Sequence, residues 1–392
     1  MPAFVRALVE VGAEVFGLGD APAGGLPPAV RHALADYLQV RSLWDEEAVA
    51  EEVAGWLAGR RVDRVECLWE PGMLLAARLR EVLEVPGLSV ERTIPLRNKE
   101  AMKRVLDRAG IRTPRHAAAR GEAEIRAAAE RIGGALIVKP IAGAGSADTH
   151  RVEGRADLDR VVAAVRHLDE VSVEEFVDGE EFTFDTVSIG GEPAYFNVAW
   201  YRPRPLVART EEWISPQVVA LRHPAQPVLA GGVEMGRRVL TALGFESGFT
   251  HMEWYLKADG EVVFGEIGGR PPGAHQVDQM NFACDFDVFR GWAEAVCFGR
   301  FSAAVRRSFN VANIYKRAQG EGTIRRIDGL AAFRRRHGEA VVWENLLPVG
   351  SRRRNWKRTL VSDGFVVVRH PDLAATLAMA DEFASEVHLY AA

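Results

Sequence analysis

The chain has 392 residues, enough for two or three domains with buried cores. Its 49 basic and 54 acidic residues leave a net charge of −5, which argues against nucleic acid as the main partner. Cys67, Cys284 and Cys297 make no disulfide framework, no apolar run is long enough to span a bilayer, and Glu10 and Glu14 interrupt the stretch a signal peptide would need. The expectation is a soluble cytoplasmic protein.

Residues 1–11 read as a helix, followed by a short buried strand at Glu14–Gly19. Helical patterns then alternate with short apolar runs to about residue 90, including a strand at Val62–Trp69. That alternation indicates βαβ units and a parallel sheet. Such a domain ordinarily begins with a strand, so either the first strand lies upstream of Met1 or the sheet is one strand short. From Lys99 the pattern changes. A helix over 100–110 closes on Gly110, and Ile111-Arg-Thr-Pro114 opens a new segment. A helix at 121–132 precedes the strand Ala135–Lys139, and a helix at 156–167 precedes the strand Val171–Val177. Strands at 181–189 and 193–201 flank Gly190-Gly191. Residues 202–224 are rich in Arg, Pro, Trp and Glu without a clear period and read as a long loop or lid. A helix at 224–243, a hairpin, the Pro271-Pro272-Gly273 break, a helix near 285–298, and a tail of short strands with one helix at 372–386 complete the chain.

The hairpin carries the sharpest chemical signal. Asp259-Gly260 is a strong turn signature, because a type I′ turn needs positive φ at both central residues. With that turn at the tip, Glu253 falls opposite Glu266, Cβ atoms about 4.5–5.5 Å apart. Like charges held that close destabilise a sheet, and oxygen-only ligands suit a hard ion such as Mg²⁺. A slipped register, or two solvated edge glutamates, is the competing reading.

Other residues are weaker singly. Lys139 ends a strand before Gly143-Ala-Gly145-Ser146, where backbone N–H groups can approach an anion and the lysine can reach phosphate. The lysine precedes the glycines, so this is no Walker A loop, and taken alone the stretch reads first as an ordinary turn. Glu174, Glu175, Val177 and Glu181 lie on an extended acidic stretch suited to an adenine edge and ribose hydroxyls, or to a solvated edge strand. Arg270 closes the hairpin, and its planar fork suits a carboxylate or phosphate. His251, His275 and Gln276 are further polar residues nearby.

In this order, these residues resemble the ATP-grasp superfamily, in its biotin-carboxylase-like and carboxylate–amine ligase branch. The resemblance implies an α/β and α+β multidomain chain. Residues 1–95 would form the parallel-sheet preATP-grasp domain, 96–180 the small grasp subdomain, 181–305 the large one with the metal site, and 306–392 a mixed C-terminal lobe. It implies that Lys99 and Lys139 hold the α- and β-phosphates of ATP, with Gly143, Gly145 and Ser146 closing over them. Glu174, Glu175 and Val177 would meet the adenine and Glu181 the ribose. Glu253 and Glu266 would hold Mg²⁺, or Mn²⁺, and Arg270 would steady an acyl phosphate. One departure is Glu266-Ile-Gly268-Gly-Arg270, where the family pattern is Glu-x-Asn-x-Arg. Gly268 cannot ligate by side chain.

The function implied is an ATP-dependent ligase joining a small-molecule carboxylate to an amine, on amino-acid-like substrates, with homodimerisation a family-level expectation. The 202–222 segment, with Arg202, Arg204, Arg209 and Trp213, would keep water from the acyl phosphate. Bicarbonate- or formate-using chemistry on the same scaffold, a kinase-like grasp, and an ATP-binding module without turnover are the alternatives.

Overall fold

The computed structural model describes residues 2–142 and 148–392, and one antiparallel sheet organises most of them. In spatial order its strands are Val262–Gly268, Gly248–Leu256, Glu180–Ile189, Ala199–Arg202, Gln217–Ala220, Asn310–Tyr315, Gly364–His370 and Val341–Leu346. Glu192–Asn197 pairs off this path with Glu180–Ile189. Alternate residues face opposite ways along each strand. Phe182, Phe184, Met252 and Trp254 pack with the helices Ala230–Leu243 and Leu373–Glu386. On the other face, Val187, Phe249 and Val311 pack with Pro2–Glu10, Gln276–Cys284 and Val288–Phe298.

A second sheet sits between residues 116 and 175, in the order His116–Ala119, Val171–Glu175, Leu136–Pro140, His150–Val152, all antiparallel. The helix Gly121–Ile132 backs it because Ile125, Ala128, Ala129 and Ile132 recur at helical spacing and bury one stripe. Near the N-terminus, Phe16–Gly19 and Asp36–Gln39 form a two-stranded parallel sheet, as the alternating pattern predicts, covered by Glu46–Leu57 and Met73–Val82. A three-stranded sheet of Gln319–Gly320, Ile324–Asp328 and His388–Ala391 lies near the C-terminus. Among the described residues no helix is long and apolar enough to cross a membrane.

Several local expectations need correction. Val62–Trp69 is not a strand. Side chains take the carbonyls a neighbouring strand would have taken: Arg80 Nε donates to Val65 O at 2.9 Å, and Cys67 Sγ to Trp69 O at 3.1 Å. The 202–224 stretch is not one long loop. It contains the short helix Pro205–Ala208 and the strand Gln217–Ala220, whose Val218, Val219 and Ala220 are buried in the middle of the large sheet. The tail holds a second helix at Leu330–His337, and Gln276–Cys284 is a helix that the Pro-Pro-Gly break obscured.

Candidate active site

The large and small sheets both contribute to a cavity of about 990 Å³, lined by Lys99, Lys139, Glu174, Glu181, Glu253 and Glu266 among others. Its floor is the hairpin. Glu253 is paired with Glu266, as the sequence predicts, but the route differs. Lys257 N donates to Glu261 O and Gly260 N to Lys257 O, both at 2.9 Å, so Ala258, Asp259 and Gly260 make a longer tip, with Gly260 at φ +88°. That tip moves the pairing by one residue, giving Leu256 opposite Val262 and Trp254 opposite Phe264. A bulge at Gly265 then restores the register. Only glycine fits there, because a Cβ would lie 2.8 Å from Glu253 O. Without the bulge, Glu253 would face Gly265 and the acidic pair would be lost.

Each glutamate has its own cationic support. Glu266 is 3.2 Å from Lys99 Nζ through one oxygen and 3.9 Å from Lys139 Nζ through the other. Lys99 starts the helix Lys99–Arg108, capped by Asn98 Oδ1, which accepts from Glu100 N and Ala101 N at 3.1 and 2.9 Å. Its own N–H donates to Ile141 O at 3.0 Å, tying this helix to the segment that follows Lys139. Glu253 Oε1 accepts from Tyr201 OH at 3.2 Å and lies 3.5 Å from His251 Nε2. The other ring nitrogen of His251 is 2.6 Å from buried Asp185, which also accepts from Thr183 and Asn197. Burial works against the His251 cation, but the Asp185 charge and hydrogen bonds to both acids push its pKa up to about 9. His251 and Glu253 share a face because they are two apart on one strand.

The nucleotide-side residues are also brought together. Glu174 lies between Lys139, at 3.0 Å, and Lys103, in a closer contact, and these cations outweigh burial and hold its carboxyl far below the usual range. Its side chain is therefore committed to two lysines, and its backbone lies in a strand paired on both sides, with His116 and Ile137 opposite it. Glu175 pairs with Arg112 at 3.1 Å and accepts from Arg115 N at 3.1 Å. Glu181 is 3.4 Å from Arg204, yet burial and the nearby Glu253 charge push its pKa up to about 8. Val177 lines the cavity beside them. Gly143, Gly145 and Ser146 lie outside the described residues.

Arg270 Nε donates to Glu70 Oε2 at 2.8 Å, and Nη1 donates to Pro271 O at 3.0 Å. A Cβ at Gly268 would sit 3.3 Å from Arg270 Cγ, so the glycine gives the arginine stem room to lie along the hairpin. Sequence reasoning missed Glu70, Tyr201, Asp185 and Lys103. Lys103 had a signal, since it falls one helical turn after Lys99. The others come from distant segments and had none.

Among the described residues no group of three or more His, Cys, Asp or Glu is arranged to hold a metal. Two opposed carboxylates suit an ion that arrives with phosphate oxygens, since Mg²⁺ typically takes one or two carboxylates and completes its shell from substrate and water. The donor chemistry of Glu253 and Glu266 fits that ion.

No family model matches the chain. It is 27% identical over 215 residues to the L-arginine-specific L-amino acid ligase of Bacillus subtilis, covering 53% of this chain and 51% of that protein. The chain spans about half the length of curated relatives it matches, 51% to 58%. Among solved structures, an L-amino acid ligase from Bacillus licheniformis superposes with a TM-score of 0.81 at 22% identity, covering 100% of this chain and 96% of that one. Carboxyaminoimidazole ribonucleotide synthase from Aspergillus clavatus, complexed with ATP, superposes with a TM-score of 0.68 at 16% identity, covering 96% and 93%. The chain shares the fold of these solved enzymes along nearly its whole length, and its sequence is similar to that of amino acid ligases over about half to two thirds of it.

Proposed function

We propose that the chain is an ATP-dependent carboxylate–amine ligase acting on amino-acid-like substrates. The observation that carries this reading is the convergence, in one cavity, of Glu253 opposite Glu266, Lys99 and Lys139 against Glu266, and Arg270 at the hairpin's end. The likeness to amino acid ligases supports it. An oxygen of the substrate carboxylate attacks the γ-phosphorus of ATP, ADP leaves, and an acyl phosphate forms. The amine nitrogen then attacks the acyl carbon, and phosphate leaves with the former carboxylate oxygen. Mg²⁺ or Mn²⁺ held by Glu253 and Glu266 would neutralise phosphate charge.

This chain's residues position and shield these groups. Lys99 and Lys139, drawn onto Glu266 here, are within reach of phosphate oxygens that would compete for them. Lys103 and Lys139 hold Glu174, which fixes the strand Val171–Glu175 against the cavity. Glu70 orients the Arg270 fork, which then has donors left for an acyl phosphate or a substrate carboxylate. The segment around Pro205–Ala208 lines the cavity, where it would restrict water at the reactive acyl group. The cavity volume, about 990 Å³, is at the upper end of the usual range for small-molecule sites and accommodates a nucleotide with a second substrate.

The test is ADP and phosphate release from Mg-ATP with pooled amino acids. Release that depends on one pool and is absent in Glu266→Gln supports the reading. ADP release that no pool stimulates, or that survives in Glu266→Gln, counts against it.

A further inference from the structure

Four arginines line the cavity, and their ionic partners differ. Arg204 is 3.4 Å from Glu181, and Arg270 is 2.8 Å from Glu70. Arg209 and Arg317, which also line the cavity, form no ion pair with any acid among the described residues. They come from different parts of the chain. Arg209 follows the short helix Pro205–Ala208 and donates Nη1 to Lys357 O at 3.3 Å. Arg317 follows the strand Asn310–Tyr315 and donates Nη1 to Glu211 O at 2.8 Å. The Arg317 guanidinium lies 4.4 Å from the centre of the Trp356 ring, which fixes its plane, and its Nε is shut off from solvent with no hydrogen-bond partner.

The acids close enough to neutralise this pair are engaged elsewhere. Glu212 pairs with Arg353 at 2.5 Å, Glu211 accepts from Trp213 Nε1 at 3.1 Å, and Asp363 accepts from the backbone of Ala318 and Arg354. Behind Arg317, buried Lys316 is held by Ser215 Oγ and Ala384 O at 2.9 and 2.8 Å, again with no acid. Burial lowers the pKa of Arg209, and burial with the Arg209 charge lowers that of Arg317 to about 10. Two like charges in a partly buried wall, with fork donors unfilled, are expensive unless an anion enters.

We infer that the Arg209–Arg317 wall takes the anionic end of a substrate, a second carboxylate or a phosphate monoester beyond the group steadied at Arg270. This rests on the ligase reading and narrows its substrate class. One of the two substrates is an amino acid or small acid with a negatively charged side chain, whose carboxylate or phosphate oxygens accept from both guanidiniums.

The experiment is calorimetric binding in the presence of Mg-ADP, with two pairs of charged and neutral probes: the isosteric pair L-glutamate and L-glutamine, and O-phospho-L-serine against L-serine. At least one anionic member is expected to bind about ten-fold more tightly than its neutral partner. Arg317→Gln is expected to erase that gap while leaving the neutral partner's affinity in place, and Arg209→Gln is a second variant with the same expectation. Preference for glutamate identifies a carboxylate, and preference for phosphoserine identifies a phosphate. Equal binding within both pairs, or no binding of any probe, overturns the inference. The ligase reading fails separately: anion-selective binding with no substrate-dependent ADP release in any pool leaves the anion wall standing without the reaction. ADP release driven only by neutral amino acids does the reverse.

Discussion

Arg270 Nε donates to Glu70 Oε2 at 2.8 Å, while Glu70 Oε1 accepts from Arg97 at the same distance. One buried carboxylate, from the turn Glu70–Gly72, thus holds two guanidiniums and links the N-terminal region to the end of the hairpin. It also fixes the direction in which the remaining Arg270 donors point.

Glu70→Gln should therefore lower both stability and turnover. Removing the charge leaves two partly buried guanidiniums without compensation, at a cost of about 3 kcal/mol. Urea unfolding and substrate-dependent ADP release measure the two effects. Wild-type values in both would show that Glu70 neither supports the fold nor orients Arg270.

Arg270→Lys should retain nucleotide binding and lose most turnover, roughly a hundred-fold. A lysine supplies charge but not the planar fork, and it cannot engage Glu70 and an acyl phosphate in the same geometry. Nucleotide affinity by calorimetry and ADP release are the two readouts. Turnover near that of the unaltered protein would remove Arg270 from the reaction.

Gly265→Ala should disrupt the acidic pair from behind. Its Cβ would meet Glu253 O at 2.8 Å, so the bulge must shift, at a cost of about 1–3 kcal/mol. Glu253 and Glu266 would lose their opposition, and turnover should fall more than stability. Gly24→Ala, where nothing lies within 4 Å of the added carbon, is the control. Equal behaviour of the two variants would mean that the bulge does not set the site.

His116 makes stability fall with rising pH. Its ring lies 2.7 Å from Glu100 and 2.9 Å from Asp107. Burial opposes the cation, but the hydrogen bonds to Glu100 and Asp107 dominate and raise its pKa above the ordinary 6.5. A raised pKa means that the contribution is fully present below the unfolded value and is lost as pH rises through the folded one. Between neutral and mildly alkaline pH, Tm should decline more in the unaltered protein than in His116→Gln. Parallel curves would show that the imidazolium contributes nothing.

The Glu253–Glu266 pair was legible in the sequence because two departures cancel. The tip is one residue longer than a two-residue turn, and the Gly265 bulge takes that residue back. Lys139 was legible as the lysine that ends a strand, whereas Lys99, at the start of its helix, was picked out only through the family resemblance. Glu70 was not, because it meets Arg270 across 200 positions of sequence. Asp185 and Tyr201 reach His251 and Glu253 only through strand order, which periodicity does not specify. The strand Gln217–Ala220 was hidden for a related reason: a short strand buried on both faces has no alternation to reveal it.

The central claim is that a substrate carboxylate is activated by phosphoryl transfer from ATP. Its most direct test follows the oxygen, using whichever amino acid supports ADP release, labelled with oxygen-18 in its carboxylate. Mass spectrometry of the inorganic phosphate should find one labelled oxygen per phosphate released, because the acyl–oxygen bond breaks when the amine attacks. Phosphate that forms alongside ADP without any label would contradict carboxylate activation and leave attack of water on ATP in its place.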